Sequence, residues 1–215
     1  MRLVMPRLYV ILDAGLMTGS IEDTTEKLID TGVLALQYRN KKGSAGGILG
    51  VARRLAGVVR SRGVRFFVND RADIAQLSGS SGVHVGQEDL GVEQARAVLG
   101  ADGWIGVSTH NEMQFRAAAQ TSADYIAVGP IFGTTTKENP DPVVGTELIR
   151  RVRALTKKPI VAIGGITLER AAEVIEAGAD SVAVVSDIWR AEDPAQRARQ
   201  FIRRLEAAVK PTASH

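Results

Sequence analysis

The stretch RFFVND, residues 65–70, shows the pattern that decides the fold: an apolar run of strand length closed by two polar residues. The same pattern recurs along the chain, and helical stretches follow the runs. The predicted strands are Leu8–Asp13, Leu34–Arg39, Arg65–Asn69, Gly82–Val85, Trp104–Ser108, Tyr125–Gly129, Pro159–Ile163 and Ser181–Val185. Nearly all-apolar strands that alternate with helices indicate a parallel sheet covered by helices.

Amphipathic stretches between these runs predict helices. The clearest are Ile21–Thr31, with a start at Thr24 or Thr25, Ala45–Arg62, Glu112–Thr121 and Thr167–Ala177. Asn111 is a typical N-cap residue, and Gly63 and Gly178 are typical of positions just after a helix. The chain therefore alternates strand and helix from end to end.

Eight such units predict a single-domain α/β fold, the TIM (β/α)8 barrel. A doubly wound open sheet is the alternative. The closed barrel is favoured because polar residues end many strands, whereas an open sheet concentrates its chemistry at one or two switch points. We expect the barrel to span residues 1–209 and the tail, residues 210–215, to be disordered.

The composition excludes several classes of protein. Hydrophobic residues make up 45% of the 215 residues, too many for a disordered chain. The chain has no cysteine, which excludes disulfides, thiolate metal sites and a cysteine nucleophile. Nucleic-acid binding is not expected, because the net charge is only +3, aromatic residues make up 5%, and the basic residues form no stripe.

Neither a membrane anchor nor a secretion signal is expected. No apolar run approaches the roughly 20 residues that span a bilayer. The first predicted strand begins at Leu8, which leaves no room for a signal peptide before it. We therefore predict a cytoplasmic protein.

The end of the second predicted strand carries Gln37, Arg39 and Lys41 at alternate positions. This spacing puts the three side chains on the same face of a strand, here the barrel interior and its rim. Buried cations need a partner, so an anionic ligand would explain them. The alternative is that Lys41 lies in a solvated loop and that Arg39 pairs with an internal carboxylate.

Asp70 and Asp89 follow the third and fourth predicted strands, which are neighbours in a barrel. Their carboxylates can therefore face one another, and two close carboxylates repel unless a cation lies between them. Mg²⁺ fits, because it takes one or two carboxylates and completes its shell with water and phosphate oxygens. The alternative is a helix N-cap for Asp70 and a turn position for Asp89.

A long connection after the sixth predicted strand contains Thr134, Thr136 and Lys137. Hydroxyl groups and an ammonium at a barrel mouth suit oxyanions, and the segment has the length to close over them. A flexible polar loop without function is the alternative.

The seventh and eighth predicted strands end in Gly164-Gly165 and Val185-Ser186. In barrels of this kind the loops after these strands form the usual phosphate pocket, because glycine lets backbone N–H groups approach the oxygens. A packing turn remains the alternative for either pair. Together they predict a phosphate site.

Two histidines lie near the predicted site. His84 should point into the barrel, where it is either a contact for a ring substrate or a core histidine with satisfied nitrogens. His110 shares a strand face with Ser108, and we expect it to support the site or a helix start rather than act as a general base.

A charge count limits the substrate. Arg39, Lys41 and Lys137 with Asp70, Asp89 and one Mg²⁺ give a net charge of about +3, which offsets a diphosphate monoester of about −3. The backbone pocket predicted at Gly164-Gly165 and Val185-Ser186 could then hold a separate phosphate. The layout predicts two anionic substrates, one with a metal-bound diphosphate and one with a monophosphate.

Taken together, these residues resemble those of the thiamine phosphate synthase family, and the resemblance covers essentially the whole chain. The matching motifs, in family order, are Gln37-x-Arg39-x-Lys41, Asn69-Asp70, His84-x-Gly86-Gln87-x-x-Asp89, Ser108-Thr109-His110, Gly129-Pro130-Ile131-Phe132, Thr134-x-Thr136-Lys137, Ile163-Gly164-Gly165-Ile166 and Val185-Ser186. Any one of them would be weak, but their order makes the resemblance specific.

The resemblance implies a transferase that joins 4-amino-5-hydroxymethyl-2-methylpyrimidine diphosphate to 4-methyl-5-(2-phosphoethyl)thiazole and releases diphosphate. It implies that Gln37 orients the pyrimidine and that Asp70 and Asp89 ligate Mg²⁺. The implied diphosphate ligands are Arg39, Lys41, Asn69, Ser108 and Lys137. The three cations among them, Arg39, Lys41 and Lys137, are the implied catalytic residues. The implied ligands on the thiazole phosphate side are Thr134, Thr136, Gly165, Val185 and Ser186.

Two other functions remain open. A thiazole tautomerase on the same scaffold would need the monophosphate pocket but not Asp70, Asp89, Lys41 or Lys137. A non-catalytic regulator that binds a thiazole or thiamine phosphate is the second. Barrel enzymes often form homodimers, but no segment of the sequence identifies an interface.

Overall fold

The structure is a computed structural model that describes residues 3–134 and 141–208. Its strands are β1 (Leu8–Asp13), β2 (Ala35–Arg39), β3 (Arg65–Asn69), β4 (Gly82–Val85), β5 (Trp104–Thr109), β6 (Tyr125–Val128), β7 (Ile160–Ile163) and β8 (Ser181–Val184). The strands pair in parallel with their sequence neighbours, and β8 pairs with β1 to close the barrel. The predicted closed single-domain barrel is therefore confirmed, and the strand ends agree with prediction to within one residue.

Helices follow the strands around the outside of the barrel. They are α1 (Ile21–Asp30), α2 (Ala45–Val59), α3 (Ala72–Ser78), α4 (Val92–Leu99), α5 (Glu112–Ala119), α6 (Gly145–Arg153), α7 (Ala171–Glu176), α8 (Ser186–Trp189) and α9 (Pro194–Ala207). The predicted tail, residues 210–215, lies outside the described residues.

The helix starts agree with the predicted ones in part. Helix α1 begins at Ile21, the first residue of the predicted range, but its start signal is Ser20 and not Thr24 or Thr25: the Ser20 hydroxyl accepts the N–H of Asp23 at 3.1 Å. Helix α7 begins at Ala171, four residues after the predicted start at Thr167. Asn111 caps α5 as predicted, with its side chain accepting the N–H of Gln114 at 2.9 Å.

The core has two parts, one on each side of the sheet. The larger part lies between the barrel and its helices and includes Leu36, Phe66 and Phe115. The smaller part fills the barrel, where Tyr9, Phe67 and Tyr125 pack edge to face with ring centroids 5.5 to 6.1 Å apart. We call these three rings the interior aromatic layer.

A glycine on β5 makes room for this layer. A Cβ at Gly106 would overlap the ring of Tyr125, which is fully buried on the neighbouring strand. Glycine in a strand often marks such a close approach. The layer fills the barrel below the strand ends that carry the predicted site.

Candidate active site

One cavity of about 540 Å³ lies at the carboxyl ends of the strands. Residues from all eight strands, or from the loops after them, line it. The predicted residues that line it are Gln37, Arg39, Lys41, Asn69, Asp70, His84, Asp89, Ser108, Thr134, Gly165, Val185 and Ser186. Thr136 and Lys137 lie outside the described residues. The structure thus brings the described part of the predicted site together, as the closed barrel requires.

The two described cations of the cavity each contact a carboxylate. Arg39 forms an ion pair with Asp13, the last residue of β1, whose side chain is only 8% exposed. This pairing with an internal carboxylate was the alternative considered for Arg39. Lys41 forms an ion pair with Asp70 and keeps about half of its side chain exposed. Lys41 therefore reaches the cavity, as predicted, and is not confined to a solvated loop.

Asp70 has a backbone conformation that is uncommon for a residue other than glycine. Its φ is 63°, in the left-handed region that few residues other than glycine adopt, although aspartate tolerates it better than most. Its N–H donates to the His84 carbonyl oxygen on β4 at 2.7 Å, which fixes Asp70 against the neighbouring strand. The N-cap interpretation of Asp70 is wrong, because Arg71 occupies that position of α3.

Asp89 approaches Asp70 from the loop after β4. Its Oδ2 accepts the N–H of Gly86 at 2.7 Å, so it does take part in a turn. Burial raises the pKa of Asp89, and the nearby carboxylate of Asp70 raises it further. The two acids are therefore close enough to disfavour two negative charges. In residues 3–134 and 141–208 no cluster of three or more acidic, histidine or cysteine side chains forms a metal site, so this pair would need ligands from substrate and water.

A continuous run of hydrogen bonds crosses the barrel beneath the cavity. Gln37 Nε2 donates to the Tyr9 hydroxyl at 2.8 Å, which lies 3.1 Å from the Tyr125 hydroxyl. The Tyr125 hydroxyl lies 2.9 Å from His84 Nδ1, and His84 Nε2 lies 2.8 Å from Ser108 Oγ. We call these five side chains the hydrogen-bond chain. Its two ends, Gln37 and Ser108, are predicted substrate ligands.

Burial keeps the middle of this chain uncharged. It lowers the pKa of His84 to about 4, so the imidazole is neutral at physiological pH. Burial also raises the pKa values of Tyr9 and Tyr125 above their usual range. Of the two roles considered for His84, the structure supports a buried histidine with both nitrogens bonded, although its ring still lines the cavity.

The turns after β7 and β8 form the other side of the cavity. Gly164 and Gly165 have φ values of 98° and 62°, and a Cβ at Gly165 would overlap the carbonyl oxygen of Gly133. Glycine is therefore required here by both conformation and space. Val185 and Ser186 line the same side where β8 gives way to α8.

His110 lies at the edge of the cavity and is held by its neighbours. Its Nδ1 lies 2.6 Å from the carbonyl oxygen of Gly129, and its Nε2 lies 3.6 Å from Asp141. Its backbone N–H donates to Gln114, in the first turn of α5. These contacts fit the predicted supporting role better than that of a general base.

Sequence reasoning missed Asp13, Tyr9 and Tyr125, which contact predicted site residues. It also missed Gln114 and Asp141, which line the cavity. Asp13 carried a usable signal, because it closes the first predicted strand in the same way as Asn69 closes the third. Counting its carboxylate lowers the expected charge of the site by one unit, from about +3 to about +2. The tyrosines carried no comparable signal, since an aromatic residue in a strand is usually only core.

A family model and the sequences of related proteins relate the chain to the same family. Residues 8–188 match the family model described as thiamine monophosphate synthase. The thiamine-phosphate synthase of Koribacter versatilis is 49% identical over 210 residues, covering 95% of this chain and 98% of that protein. The one from Chloroflexus aurantiacus is 44% identical over 196 residues, covering 91% and 90%.

A solved structure shows the same likeness. The thiamine phosphate pyrophosphorylase of Pyrococcus furiosus superposes with a TM-score of 0.86 at 29% identity, covering 95% of this chain and 97% of that one.

In the described ranges, no helix has the length and apolar character to cross a membrane.

Proposed function

The chain belongs to the thiamine monophosphate synthase family, and from this membership we propose that it is a thiamine-phosphate synthase. The reaction joins the pyrimidine diphosphate to the thiazole phosphate and releases diphosphate. One structural observation carries the proposal: Asp70 and Asp89 lie together in the same cavity as Lys41. Paired acids beside a cation suit a metal-bound diphosphate leaving group.

The proposed substrate contacts follow from the layout of the cavity. Gln37, on the barrel side of the cavity, would orient the pyrimidine. The diphosphate would bind near Arg39, Lys41, Asn69, Ser108 and Lys137. The thiazole phosphate would bind on the opposite side, at Thr134, Thr136 and the backbone of Gly165, Val185 and Ser186.

Asp70 and Asp89 are the residues that would hold one Mg²⁺ ion. The raised pKa of Asp89, which comes from burial and from the nearby Asp70, supports this, because a divalent cation relieves the repulsion between two close carboxylates. When bound, the metal would supply positive charge to the leaving diphosphate. In the structure Lys41 contacts Asp70 and Arg39 contacts Asp13. When substrate binds, each cation would contact a substrate phosphate as well as its acid or in place of it.

The chemistry would depend on charge and position. The bond between the pyrimidine methylene carbon and the diphosphate oxygen breaks, and the electron pair leaves with diphosphate. The electron-rich aminopyrimidine carries the resulting cation, and the thiazole nitrogen then forms the new carbon–nitrogen bond. Lys41 and Ser108 would donate hydrogen bonds to the departing diphosphate. No strong base is required, which agrees with a neutral, fully bonded His84.

A thiazole tautomerase is less well supported. It would have no use for a carboxylate, Asp89, whose pKa is raised by burial and by a second acid nearby, and the relatives described above are synthases. We further propose that residues 1–209 form the catalytic domain and that the enzyme is cytoplasmic. We also propose that it forms a homodimer. Size-exclusion chromatography with light scattering tests the oligomeric state.

A coupling assay with the two purified substrates and Mg²⁺ tests the assignment. We expect thiamine phosphate to form and expect a chelator to stop its formation. Asp89→Ala should reduce turnover by roughly 100-fold or more, since even residues that only support metal ligands contribute 10- to 100-fold.

Asp102→Ala is the matched control, because this exposed acid precedes β5 at the other end of the barrel. We expect it to leave turnover unchanged. Full coupling activity of Asp89→Ala without added Mg²⁺ would refute the metal-assisted mechanism, whereas tautomerisation of the thiazole without any thiamine phosphate would favour the tautomerase.

A further inference from the structure

The hydrogen-bond chain links two parts of the cavity that the proposed function assigns to different portions of one substrate. Gln37 at one end would contact the aminopyrimidine ring, and Ser108 at the other would contact the diphosphate. Between them, Tyr9, Tyr125 and His84 are almost completely enclosed. A hydrogen bond at one end therefore has consequences at the other.

Proton counting leaves this chain two complete arrangements. Each hydroxyl has one proton, and the neutral imidazole of His84 carries one. If His84 Nε2–H donates to Ser108, then Nδ1 must accept from Tyr125, which accepts in turn from Tyr9, which accepts from the Gln37 amide nitrogen. If Ser108 instead donates to His84, every bond reverses, and the Gln37 amide must turn its oxygen toward Tyr9.

Mixed arrangements are disfavoured because they leave a buried hydroxyl proton without an acceptor or bring two protons together. A buried polar group without a partner lowers stability more than a hydrogen bond raises it. The chain should therefore switch as one unit. The structure assigns a donor in only one of the four bonds, where Gln37 Nε2 donates to Tyr9, and the other three are compatible with either direction.

A ligand at Ser108 selects between the two directions. Diphosphate oxygens only accept hydrogen bonds, so a diphosphate beside Ser108 requires its hydroxyl to donate outward. Ser108 then accepts from His84, and the first arrangement follows. In that arrangement Gln37 turns its carbonyl oxygen toward the cavity, where it accepts from the 4-amino group of the pyrimidine.

We propose that Tyr9, Tyr125 and His84 are positioning residues that couple the diphosphate site at Ser108 to recognition of the pyrimidine amino group by Gln37. The coupling gives specificity. Bound diphosphate raises the affinity of the site for an aminopyrimidine and lowers its affinity for the 4-oxo counterpart, which offers an acceptor in place of the amino donor. This inference rests on the proposed function, because it uses the two portions of that substrate.

Binding measurements on the intact protein test the coupling without turnover. The probes are 4-amino-2,5-dimethylpyrimidine, which lacks the leaving oxygen, and its 4-oxo counterpart. Each is titrated by calorimetry with and without saturating inorganic diphosphate and Mg²⁺. For the wild type we expect diphosphate to increase the ratio of amino to oxo affinity about tenfold, the effect of one well-placed hydrogen bond.

Tyr125→Phe removes the central hydroxyl and should abolish this change in ratio to within about twofold. Tyr9→Phe breaks the chain at another point and should give the same result, which keeps the test decisive if one variant does not fold. Tyr38→Phe is the matched control, because the Tyr38 hydroxyl accepts a hydrogen bond from Asn40 outside the chain. It should retain the wild-type response.

The outcomes separate the two proposals. A structural role for the tyrosines alone would weaken both probes equally and leave the ratio responsive to diphosphate, which would overturn the coupling. A wild-type ratio that ignores diphosphate would also overturn it, even if the coupling assay yields thiamine phosphate. Failure of the wild type to make thiamine phosphate would refute the proposed function itself.

Discussion

Replacing Arg39 with methionine would leave Asp13 as an enclosed carboxylate without its cation. Breaking a buried ion pair by removing one partner costs roughly 3–5 kcal/mol. Asp13 keeps one hydrogen bond, from the Gly15 N–H at 2.9 Å, so we expect the lower end of that range, about 3 kcal/mol. For a chain of this size the loss corresponds to a fall in melting temperature of roughly 6–12 °C.

Equilibrium urea unfolding of the wild type and Arg39→Met measures this change. Arg54→Met is the matched control, because Arg54 also pairs with an acid, Glu22, but its side chain is 59% exposed. Exposed pairs contribute less than about 1 kcal/mol. Adding Asp13→Asn to Arg39→Met should recover most of the lost stability, since no charge is then left without a partner.

The same variants separate the two roles considered for Arg39. If Arg39→Met is as stable as Arg54→Met while its KM for the pyrimidine diphosphate rises, the Asp13 pairing does not hold the barrel and Arg39 acts only on substrate. That result would refute the reasoning above. If Asp13→Asn alone lowers the KM for the pyrimidine diphosphate, Asp13 competes with the substrate diphosphate for Arg39.

Three further predictions concern the metal pair and the barrel interior. Asp89→Asn should stabilise the metal-free protein at neutral pH, because the raised pKa of Asp89 shows that its charge is disfavoured in the folded chain. The gain should vanish below the ordinary aspartate pKa of about 3.9, where the carboxyl is protonated in both folded and unfolded states; urea unfolding in chelator across pH checks this. Gly106→Ala should cost roughly 1–3 kcal/mol by overlap with Tyr125, whereas Gly57→Ala, exposed on α2 with no atom within 4 Å of the added Cβ, should gain up to about 1 kcal/mol; urea unfolding compares the two. A chelator should stop turnover without moving the urea midpoint, since the described residues form no larger metal cluster, and a midpoint that falls would contradict this.

The strands could be predicted because parallel strands are buried on both faces. A run such as Tyr125–Val128 must be apolar throughout, and the next polar or glycine residue marks its end. The helices were harder. The N-cap positions of α3 and α4 are Arg71 and Gly91, which make no side-chain cap bond, so these helices lack the signal on which the prediction depended. Helix α9 did carry one, Asp193 followed by proline, which went unused.

The site divides along the same line. Lys41, Asp70 and Asp89 were predictable because each lies within four residues after the end of a strand, and a closed barrel brings such positions to one mouth. Asp13 follows the same rule, since it is the last residue of β1. The hydrogen bond between Tyr9 and Tyr125 could not be predicted, because it joins residues 116 positions apart whose contact depends on the curvature of the barrel.

The interior aromatic layer has a consequence for the order of events in turnover. Tyr9, Phe67 and Tyr125 fill the barrel and leave its carboxyl end as the entrance to the cavity. A molecule seated against Gln37 lies at the deep end of this entrance, and a second molecule held at Gly165 and Ser186 lies nearer its rim. The deeper reactant should therefore arrive first, which predicts an ordered kinetic scheme with dead-end inhibition whenever the outer one arrives early.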